Sequence, residues 1–417
     1  MTNQLMDRLP RLLHQVAFRR FWTAQTISFL GDQVSTIALP LTAVLALNAS
    51  AAGMGFLGAL VSLPNLLFAL HVGGFVDRHG RLRRMMILCD LGRAAVLLTV
   101  PVAYALDALT LTHLWVVAFV TGTLAMLFNV SSNSLFAALV DREDYVQGTS
   151  LSRGSFSFSW VVGPSVGGVL VQIVSAPGAL LADVLSFLGS ASLLRSISPQ
   201  EPAPEKHESS SHIRDGLRFV SRTPVLRAKF LGGGLLNLFY TVYFTLFLLF
   251  IARELKLTSG MIGVALGLGA VGALLGSFVT GWFTRRLGIG PTFLLGSVVF
   301  PGALALVPFA TQDKWVAFGL VVMAEFLSGM GLMLCDIAGS SIQQALTPDR
   351  LRSRVQGAYL GLINGVRTVG ALAAGGLGTW LGLRSALWLA VIGGVLSCLP
   401  LVFAPVPAMR TLPDQAE

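Results

Sequence analysis

Two carboxyl groups lie in the middle of long apolar stretches of this sequence, where an acid is costly to bury. The first is Asp32, within QTISFLGDQVSTIALP. The polar residues that share its helical face are Gln25, Ser28 and Ser35. A polar stripe on an otherwise apolar helix predicts a water-accessible cavity, with Gln25 and Ser28 as substrate contacts. Asp32 is therefore a candidate for binding a proton or a cation, and a structural hydrogen bond is the alternative.

The second acid is Glu325, within VVMAEFLSGMGLMLCD. Gly329 and Asp336 lie on the same helical face, and Asp336 is a further cavity candidate. A carboxyl group surrounded by Val, Met and Phe favours its neutral form and releases its proton when water reaches it. Glu325 is thus a second candidate for proton coupling or for binding a cationic substrate. The alternative is a structural pair with Arg367, which lies at similar depth in the next apolar stretch.

Other polar groups in apolar stretches predict either substrate contacts or packing. In NLFYTVYFT, Asn237 and Tyr240 share a face, and an amide beside an aromatic ring suits an amphipathic organic substrate. A tyrosine near a helix end also fits an interfacial aromatic belt. Asp90 and Arg93 are spaced i, i+3 and are predicted to pair with each other. The sequence offers no partner for Asp183.

The composition defines the elements that carry these residues. The chain is 54% hydrophobic and 12% charged, with a mean hydropathy of +0.74. A membrane-spanning helix needs about 20 apolar residues, and we find twelve such windows. The fold class predicted is an all-α polytopic membrane protein of two pseudo-symmetric six-helix bundles. The windows are 20–46, 52–76, 85–106, 112–138, 145–174, 177–197, 225–252, 259–284, 291–310, 315–338, 354–378 and 384–404.

The basic residues give the orientation. Most of the 29 Lys and Arg fall on the side shared by the two termini and the linker, and few fall on the other side. By the positive-inside rule, both termini are predicted to be cytoplasmic, in a multi-pass protein of the cell (inner) membrane. This distribution explains the net charge of +9 without nucleic acid as a partner. The three cysteines are too scattered to predict disulfides or a metal site.

One long polar stretch divides the chain. We predict an N-terminal bundle over 1–197, a cytoplasmic linker over 198–224 and a C-terminal bundle over 225–417. The linker begins Pro/Glu/Ser-rich and ends in a short amphipathic helix. That helix carries Ile213, Leu217 and Val220 on one face, beside a stripe of Arg214, Arg218 and Arg222. Such a helix is typical of contact with anionic lipid headgroups, and docking of a cytoplasmic partner is the alternative.

The two halves carry matching segments. TGTLAMLFN at 121–129 matches SGMGLMLCD at 328–336, and DREDYVQG at 141–148 matches DRLRSRVQG at 349–357. GGFVDRHG at 73–80 matches GWFTRRLG at 281–288. Three matches at nearly one shift indicate a duplication, which gives parallel repeats of the kind found in secondary transporters. The matches place Asn129 opposite Asp336, and Asn129 is a further cavity candidate.

The stretch from Gly73 to Arg81 resembles the cytoplasmic loop signature of the major facilitator superfamily. FRRFWTAQTISFLGDQVSTIALPL at 18–41 is similar to the branch that contains macrolide-efflux proteins and the enterobactin exporter. The resemblance implies that Asp77 lies against the start of the eleventh helix, around Arg354, and that Arg81 can bridge to Asp141. These residues would form a conformational latch between the halves: Gly73, Asp77, Arg78, Gly80, Arg81 and Asp141.

Two further comparisons concern antiport. SWVVGPSVGGVLVQ resembles the fifth-helix pattern of antiporters and implies a helix bend at Gly163, Pro164, Gly167 and Gly168. Many drug/proton antiporters carry an Arg on the fourth helix in an R-x-x-x-G arrangement. Here Ala118 stands in that place, four residues before Gly122. This departure weakens any direct transfer of their proton relay, although Glu325 could supply coupling instead.

The function predicted is export of a small amphipathic compound, such as a drug, antibiotic or siderophore-like metabolite, by proton antiport with alternating access. No enzyme signature, nucleotide motif, metal-ligand spacing or cofactor motif occurs, so we predict no enzyme activity and no cofactor. The partners expected are the substrate, protons and the lipid bilayer, and the sequence is compatible with a monomer. The alternatives are an importer of a small metabolite and a non-transporting membrane receptor or scaffold.

Overall fold

The computed structural model describes residues 11–197, 212–311 and 313–411. Within these ranges, the side chains at 69–71, 73, 77, 79, 212–215, 349 and 353 are not described. Gly73 and the side chain of Asp77, two members of the predicted latch, therefore lie outside the described residues. So do the side chains of Ile213 and Arg214 in the linker.

The described residues form helices and no strand. Fourteen are α-helices, labelled in chain order: α1 Val16–Leu41, α2 Ala51–His79, α3 Leu82–Ala105, α4 Leu111–Leu139, α5 Tyr145–Val174, α6 Ala176–Arg195, α7 His212–Arg222, α8 Pro224–Arg253, α9 Ser259–Leu287, α10 Ile289–Ala303, α11 Lys314–Leu346, α12 Arg352–Trp380, α13 Leu383–Leu396 and α14 Leu399–Val402. A π-helical turn, Thr42–Ala46, continues α1. Short 3₁₀ turns are Arg11–His14, Arg142–Asp144, Leu304–Leu306 and Asp349–Leu351.

Twelve spans of the described chain are long and apolar enough to cross a membrane, which confirms the predicted fold class. The window predicted at 145–174 coincides with α5. The window at 315–338 was too short, because α11 continues to Leu346. Its last residues, GSSIQQAL, are polar and therefore fall outside an apolar window, but they keep the helical hydrogen bonds.

The chain forms two compact units. The first comprises residues up to Thr42 together with those from Leu67 to the linker, and the second comprises Ala43–Leu66 with the residues after the linker. Helix α2 thus contributes to both units. Its first half packs closely on α12 within the second unit, where a Cβ added to Gly55 would lie 2.6 Å from the carbonyl oxygen of Ala371. Ser62 and Thr368 are also joined by a hydrogen bond of 3.3 Å.

The duplication is confirmed by the backbone. In the first unit α1 packs on α5 and α6, and α3 packs on α4 and α6; in the second, α8 packs on α12 and α13, and α10 on α11 and α13. Positive φ angles also recur about one repeat apart. They occur at Asn48 (50°) and Lys256 (51°), at Gly80 (58°) and Gly288 (96°), and at Ser175 (79°) and Gly382 (79°).

Helix α5 lies against α1 through its glycines. A Cβ added to Gly163 would overlap the Cβ of Gln33, and one added to Gly167 would lie 3.2 Å from the Cα of Val34. These two glycines therefore allow close helix approach, as small residues do in membrane helices. Helix α5 runs unbroken through Pro164, and the bend at this segment stays a prediction.

The linker helix α7 docks on the start of α12. Val220 is buried with Phe230 and Val355, and a Cβ added to Gly216 would lie 2.6 Å from the carbonyl oxygen of Arg354. Leu217, predicted to share the apolar face with Val220, is instead 49% exposed. Gly216 and Val220 are one turn apart, and the missing side chain at Gly216 lets that face approach α12.

Candidate functional site

The centre of the first unit is a buried arginine that joins two helices by ion pairs. Arg93 on α3 is 2% exposed, and its guanidinium lies 2.5 Å from Oδ1 of Asp90. The second ion pair reaches α1, at 3.3 Å from Oδ1 of Asp32, and Arg93 also donates to Ser28 Oγ at 3.4 Å. The predicted Asp90–Arg93 pair is confirmed. The contact to Asp32 was not predicted.

Asp183 on α6, for which the sequence offered no partner, lies within electrostatic range of this arginine. Its carboxylate accepts hydrogen bonds from the hydroxyl of Ser35 on α1 and from Ser186 at 2.9 Å. Gly31 provides the space, because a Cβ there would overlap both Oδ1 of Asp183 and the Ser186 hydroxyl. The Gly31-Asp32 pair thus brings a third carboxyl group to the centre. We call Asp32, Asp90, Arg93 and Asp183 the acid cluster.

The acid cluster contains more acid than base. One guanidinium balances one of three carboxylates, and excess negative charge in an apolar surrounding is relieved by binding protons. Two rings enclose the arginine, with its Cζ 4.1 Å from the centroid of Phe187 and 4.6 Å from that of Phe128. The Asp32 side chain is 39% exposed whereas that of Asp90 is fully buried. Asp32 is therefore the member that exchanges most readily with water.

The other predicted residues of the first unit are more scattered. Gln25 donates to the hydroxyl of Ser132 on α4, while Asn129 is exposed. Gly80 ends α2 with its positive φ, as expected for a glycine after a helix. The predicted bridge between Arg81 and Asp141 is absent among the ion pairs of the described residues, and both side chains are exposed.

Glu325, the acid of the second unit, makes no ion pair with a basic side chain among the described residues. Glu325 on α11 packs on α9, where a Cβ added to Gly269 would lie 3.1 Å from the Glu325 Cβ. A Cβ on Gly329 would overlap the carbonyl oxygen of Gly269, so Gly329 is a packing residue. Within the described residues, the Glu325 carboxyl group makes no ion pair with Arg367. Arg367 instead donates to the Asn237 side-chain oxygen at 3.4 Å.

Two tyrosines lie near this acid. Tyr240 and Tyr243 on α8 lie within electrostatic range of Glu325. The ring of Tyr240 packs on Phe300 at 5.1 Å between centroids, and Tyr243 stacks on Phe247 at 5.4 Å. The Tyr243 hydroxyl is buried and has no hydrogen-bond partner among the described residues. Of the predicted cavity residues in this unit, Asn237, Tyr240 and Arg367 thus lie near one another.

A second polar centre in this unit was missed by the sequence reasoning. Lys229, near the start of α8, is 7% exposed. Its ammonium donates to Oε1 of Gln343 on α11 at 2.5 Å and lies 5.2 Å from the ring centroid of Tyr359 on α12. Gln343 in turn donates to Gln356 at 3.0 Å. We call Lys229, Gln343, Gln356 and Tyr359 the lysine centre.

Two signals in the sequence could have found these contacts. Lys229 is a charged residue inside the apolar window 225–252, although its place near a helix end favours a side chain that reaches the headgroups. Asp32, Asp90 and Asp183 all lie in apolar windows of the first half, and Arg93 lies inside the same window as Asp90. Three acids in apolar windows with few bases indicate that Arg93 has more than one partner. Asp336, predicted to line the cavity, is exposed and lies within electrostatic range of Lys229.

Comparisons with known proteins agree with this architecture. The family model described as Major Facilitator Superfamily matches residues 21–324 and 230–417. The chain is 25% identical over 378 residues to the enterobactin exporter EntS of Escherichia coli O1:K1 / APEC, covering 87% of this chain and 85% of the exporter. It is 24% identical over 382 residues to the multidrug efflux pump Tap of Mycolicibacterium fortuitum, covering 85% and 87%.

A solved structure shows the same fold. The crystal structure of the nucleoside transporter NupG superposes with a TM-score of 0.72 at 12% identity, covering 93% of this chain and 98% of that one. At this identity the likeness concerns the fold alone.

Proposed function

The chain belongs to the Major Facilitator Superfamily, and from this premise we propose that it exports a small amphipathic compound in exchange for protons. The observation that carries the proposal is the acid cluster, in which three carboxyl groups share one buried guanidinium. A structural ion pair needs one acid for one base. The excess acid in a membrane helix bundle is the arrangement expected of a proton-binding centre.

Asp32 is the proposed proton-exchanging residue because it combines exposure with a direct contact to Arg93. When Asp32 binds a proton, its attraction for the guanidinium falls, and Arg93 keeps its shorter contact with Asp90. Helices α1 and α3 are then joined less strongly. A proton thus changes the contact between two helices, which is what coupling to a conformational cycle requires.

Glu325 is the second proposed coupling residue. Its carboxyl group has no ion-pair partner among the described residues and lies near the rings of Tyr240 and Tyr243. An acid near two tyrosine rings also suits an amphipathic compound, whose apolar part packs on the rings. Export as the direction is supported by the named activities of two relatives, the enterobactin exporter and the multidrug efflux pump.

The orientation proposed is both termini in the cytoplasm of a bacterial cell, in the inner membrane. In α7, Arg218 and Arg222 are exposed together with Leu217, which supports contact of this helix with anionic headgroups. A reporter fused to the C-terminus tests the orientation. Green fluorescent protein should fluoresce there and alkaline phosphatase should be inactive; the opposite pattern contradicts the proposal.

An accumulation assay in an efflux-deficient bacterial host tests the function. Cells with the wild-type chain should accumulate less of at least one of ethidium, erythromycin and tetracycline than cells without it, and a protonophore should abolish the difference. Asp32→Asn and Glu325→Gln should each lose this protection. Asp107→Asn is the matched control, since Asp107 is an exposed loop residue at φ 51°, where asparagine is well tolerated.

Three results would contradict the proposal. If protection survives collapse of the proton gradient, the exchange for protons is wrong. If both substitutions leave a demonstrated export unchanged while the proteins reach the membrane, Asp32 and Glu325 are not the coupling residues. Substrate-dependent accumulation above the level of empty cells would indicate import.

A further inference from the structure

The lysine centre has no role in the proton exchange proposed above, although it holds a buried charge. Lys229 is near the start of α8, where a lysine commonly extends its ammonium to the headgroups. Here it turns inward instead, to Gln343 and to the ring of Tyr359. No ion pair of Lys229 is found among the described residues. Its positive charge is therefore held by an amide oxygen and a ring, and by Asp336 at longer range.

The duplication shows that the fold does not require this charge. The residue 208 positions before Lys229 is Phe21, and the residue 207 positions before Gln343 is Phe136. Phe21 is fully buried in an apolar cluster of the first unit. The same places in the same backbone repeat are thus filled by hydrocarbon. A buried lysine without an ion pair is more costly than a phenylalanine there, which argues that its charge has a use.

The chemistry of the centre fits an anion attached to an aromatic group. An ammonium has three N–H donors, and only one of them makes a hydrogen bond among the described residues. The Tyr359 ring packs on that of Phe230 at 5.1 Å between centroids, which provides an aromatic wall next to the charge. Amide groups of Gln343 and Gln356 can donate further hydrogen bonds to an oxygen anion.

The centre is also open at one side. Gln356 and Asp336 are exposed, and Tyr359 is half-buried. Asp336 lies within a membrane span, and an exposed carboxylate there faces water rather than lipid, because lipid cannot solvate it. A solute in that water would meet Lys229 through Gln356 and Tyr359.

We propose that the lysine centre is an anion-binding subsite and that the transported compound carries a carboxylate or phenolate on an aromatic group. This inference rests on the proposed function for its transported compound. In this subsite, the anionic group accepts hydrogen bonds from Lys229, and the aromatic ring of the compound packs on Tyr359. Asp336 opposes the anion by like-charge repulsion and so lowers its affinity.

Binding to the purified full-length chain in lipid nanodiscs tests this subsite without any proton gradient. The probes are salicylate, benzoate and 2-naphthoate, each compared with its uncharged amide by isothermal titration calorimetry. The wild type should bind at least one carboxylate about tenfold or more tighter than its amide, the size expected for one hydrogen bond to a charged group. Lys229→Gln should remove that preference, and Lys229→Arg should retain most of it.

Two further variants keep the test decisive. Asp336→Asn should tighten carboxylate binding, because it removes the opposing charge. Lys256→Asn should change nothing, since Lys256 is an exposed loop lysine at φ 51°. If Lys229→Gln does not elute as a folded protein, Lys229→Met, which imitates the apolar residue of the first unit, takes its place.

The outcomes separate the subsite from the antiport. The subsite is wrong if none of the three carboxylates binds the wild type more tightly than its amide, or if the preference survives removal of the Lys229 charge. Neither result bears on proton-driven efflux, which the accumulation assay measures. Conversely, a carboxylate preference that depends on Lys229 supports the subsite even if efflux proves independent of protons.

Discussion

The two units place different chemistry on the same backbone. In the first unit, Asp32 on α1 contacts Arg93 on α3 at 3.3 Å. The residues 208 and 207 positions later are Tyr240 and Phe300, whose rings pack at 5.1 Å between centroids. An ion pair in one unit is thus a ring contact in the other. Both contacts join corresponding helices of the repeat, so the fold needs a contact there but does not dictate its kind.

At other positions, the apolar residue is in the first unit and the charged one in the second, or small and large residues change places. Phe21 in the first unit corresponds to Lys229 in the second, and Gly31 opposite Ser186 corresponds to Phe239 opposite Gly393. The fold therefore does not determine whether a polar or an apolar side chain stands at the positions where the two units differ. Charges that survive at such positions, in a membrane where they are costly, are the best candidates for function. Substitutions at corresponding positions should accordingly have unequal effects.

The largest inequality is expected at Arg93 and Phe300. Arg93→Met leaves Asp32 and Asp90 without their cation, and breaking a buried pair in this way costs about 3–5 kcal/mol. Phe300→Leu removes only part of a ring contact and should cost about 1 kcal/mol. Reversible unfolding in mixed detergent and SDS micelles measures both. Adding Asp32→Asn and Asp90→Asn to Arg93→Met should recover most of the loss.

If the triple variant is no more stable than Arg93→Met alone, the loss arises from packing between Phe128 and Phe187 rather than from unpaired carboxylates. Equal losses for Arg93→Met and Phe300→Leu would remove the distinction between the two units.

The glycines of the two units should be less sensitive, and to similar degrees. A Cβ on Gly31 would overlap the Ser186 hydroxyl, and one on Gly393 would overlap a ring carbon of Phe239. Overpacking of this kind costs about 1–3 kcal/mol, so Gly31→Ala and Gly393→Ala should both lower the melting temperature of the purified protein. Phe239→Leu should restore most of the stability that Gly393→Ala loses. Ser186→Gly should restore less of the loss in Gly31→Ala, because the added methyl group would still overlap Asp183. Full recovery of stability in the double variant Gly31→Ala/Ser186→Gly would show that the Asp183 side chain can move away from the added methyl group at little cost.

A smaller contrast is expected for Ser35 and Tyr243, which correspond at a shift of 208. Ser35 donates to Asp183, whereas the buried Tyr243 hydroxyl has no partner among the described residues. Ser35→Ala should cost about 1.5–3 kcal/mol, the range for a hydrogen bond to a charged group. Tyr243→Phe should be neutral or slightly stabilising in the same unfolding assay. A loss at Tyr243 as large as that at Ser35 would reveal a partner for the tyrosine hydroxyl.

The smallest effect concerns one backbone conformation held by two different residues. Ser175 and Gly382 both have φ 79°, with ψ 163° and 161°, a region that only glycine adopts without strain. Gly382→Ser should lower stability by about 1 kcal/mol or more. Ser175→Gly should raise it by less, because the Ser175 hydroxyl accepts a hydrogen bond from the Gly178 amide at 3.4 Å. Thermal unfolding of both variants checks the signs, and a gain for Gly382→Ser would show that the strain is absent.

The fold could be predicted from the sequence because it depends on apolar length and on repeated segments. The twelve spans and the duplication follow from those two features alone. The Asp90–Arg93 pair was also predictable, because both residues lie one turn apart on one helix. The contact of Arg93 with Asp32 was not, since it depends on which helices are neighbours and on how Gly31 lets α6 approach α1.

Other errors have the same origin. The face of α7 that docks on α12 is set by Gly216, which a search for apolar residues ignores. The pair with Arg367, the alternative role for Glu325, is not formed among the described residues, and Arg367 donates to Asn237 instead. Lys229 was overlooked because sequence position near a helix end does not tell whether a long side chain points to the membrane surface or inward.

The central claim is that protons exchange at the acid cluster during transport, and proton movement in proteoliposomes tests it most directly. A gradient of a compound found in the accumulation assay is imposed on vesicles that contain a trapped pH-sensitive dye. The wild type should move protons against the direction of the compound. Asp32→Asn should still exchange the compound but move no protons, whereas Asp107→Asn, the exposed loop control, should behave as the wild type. Proton movement that persists in Asp32→Asn at the wild-type rate would contradict the claim.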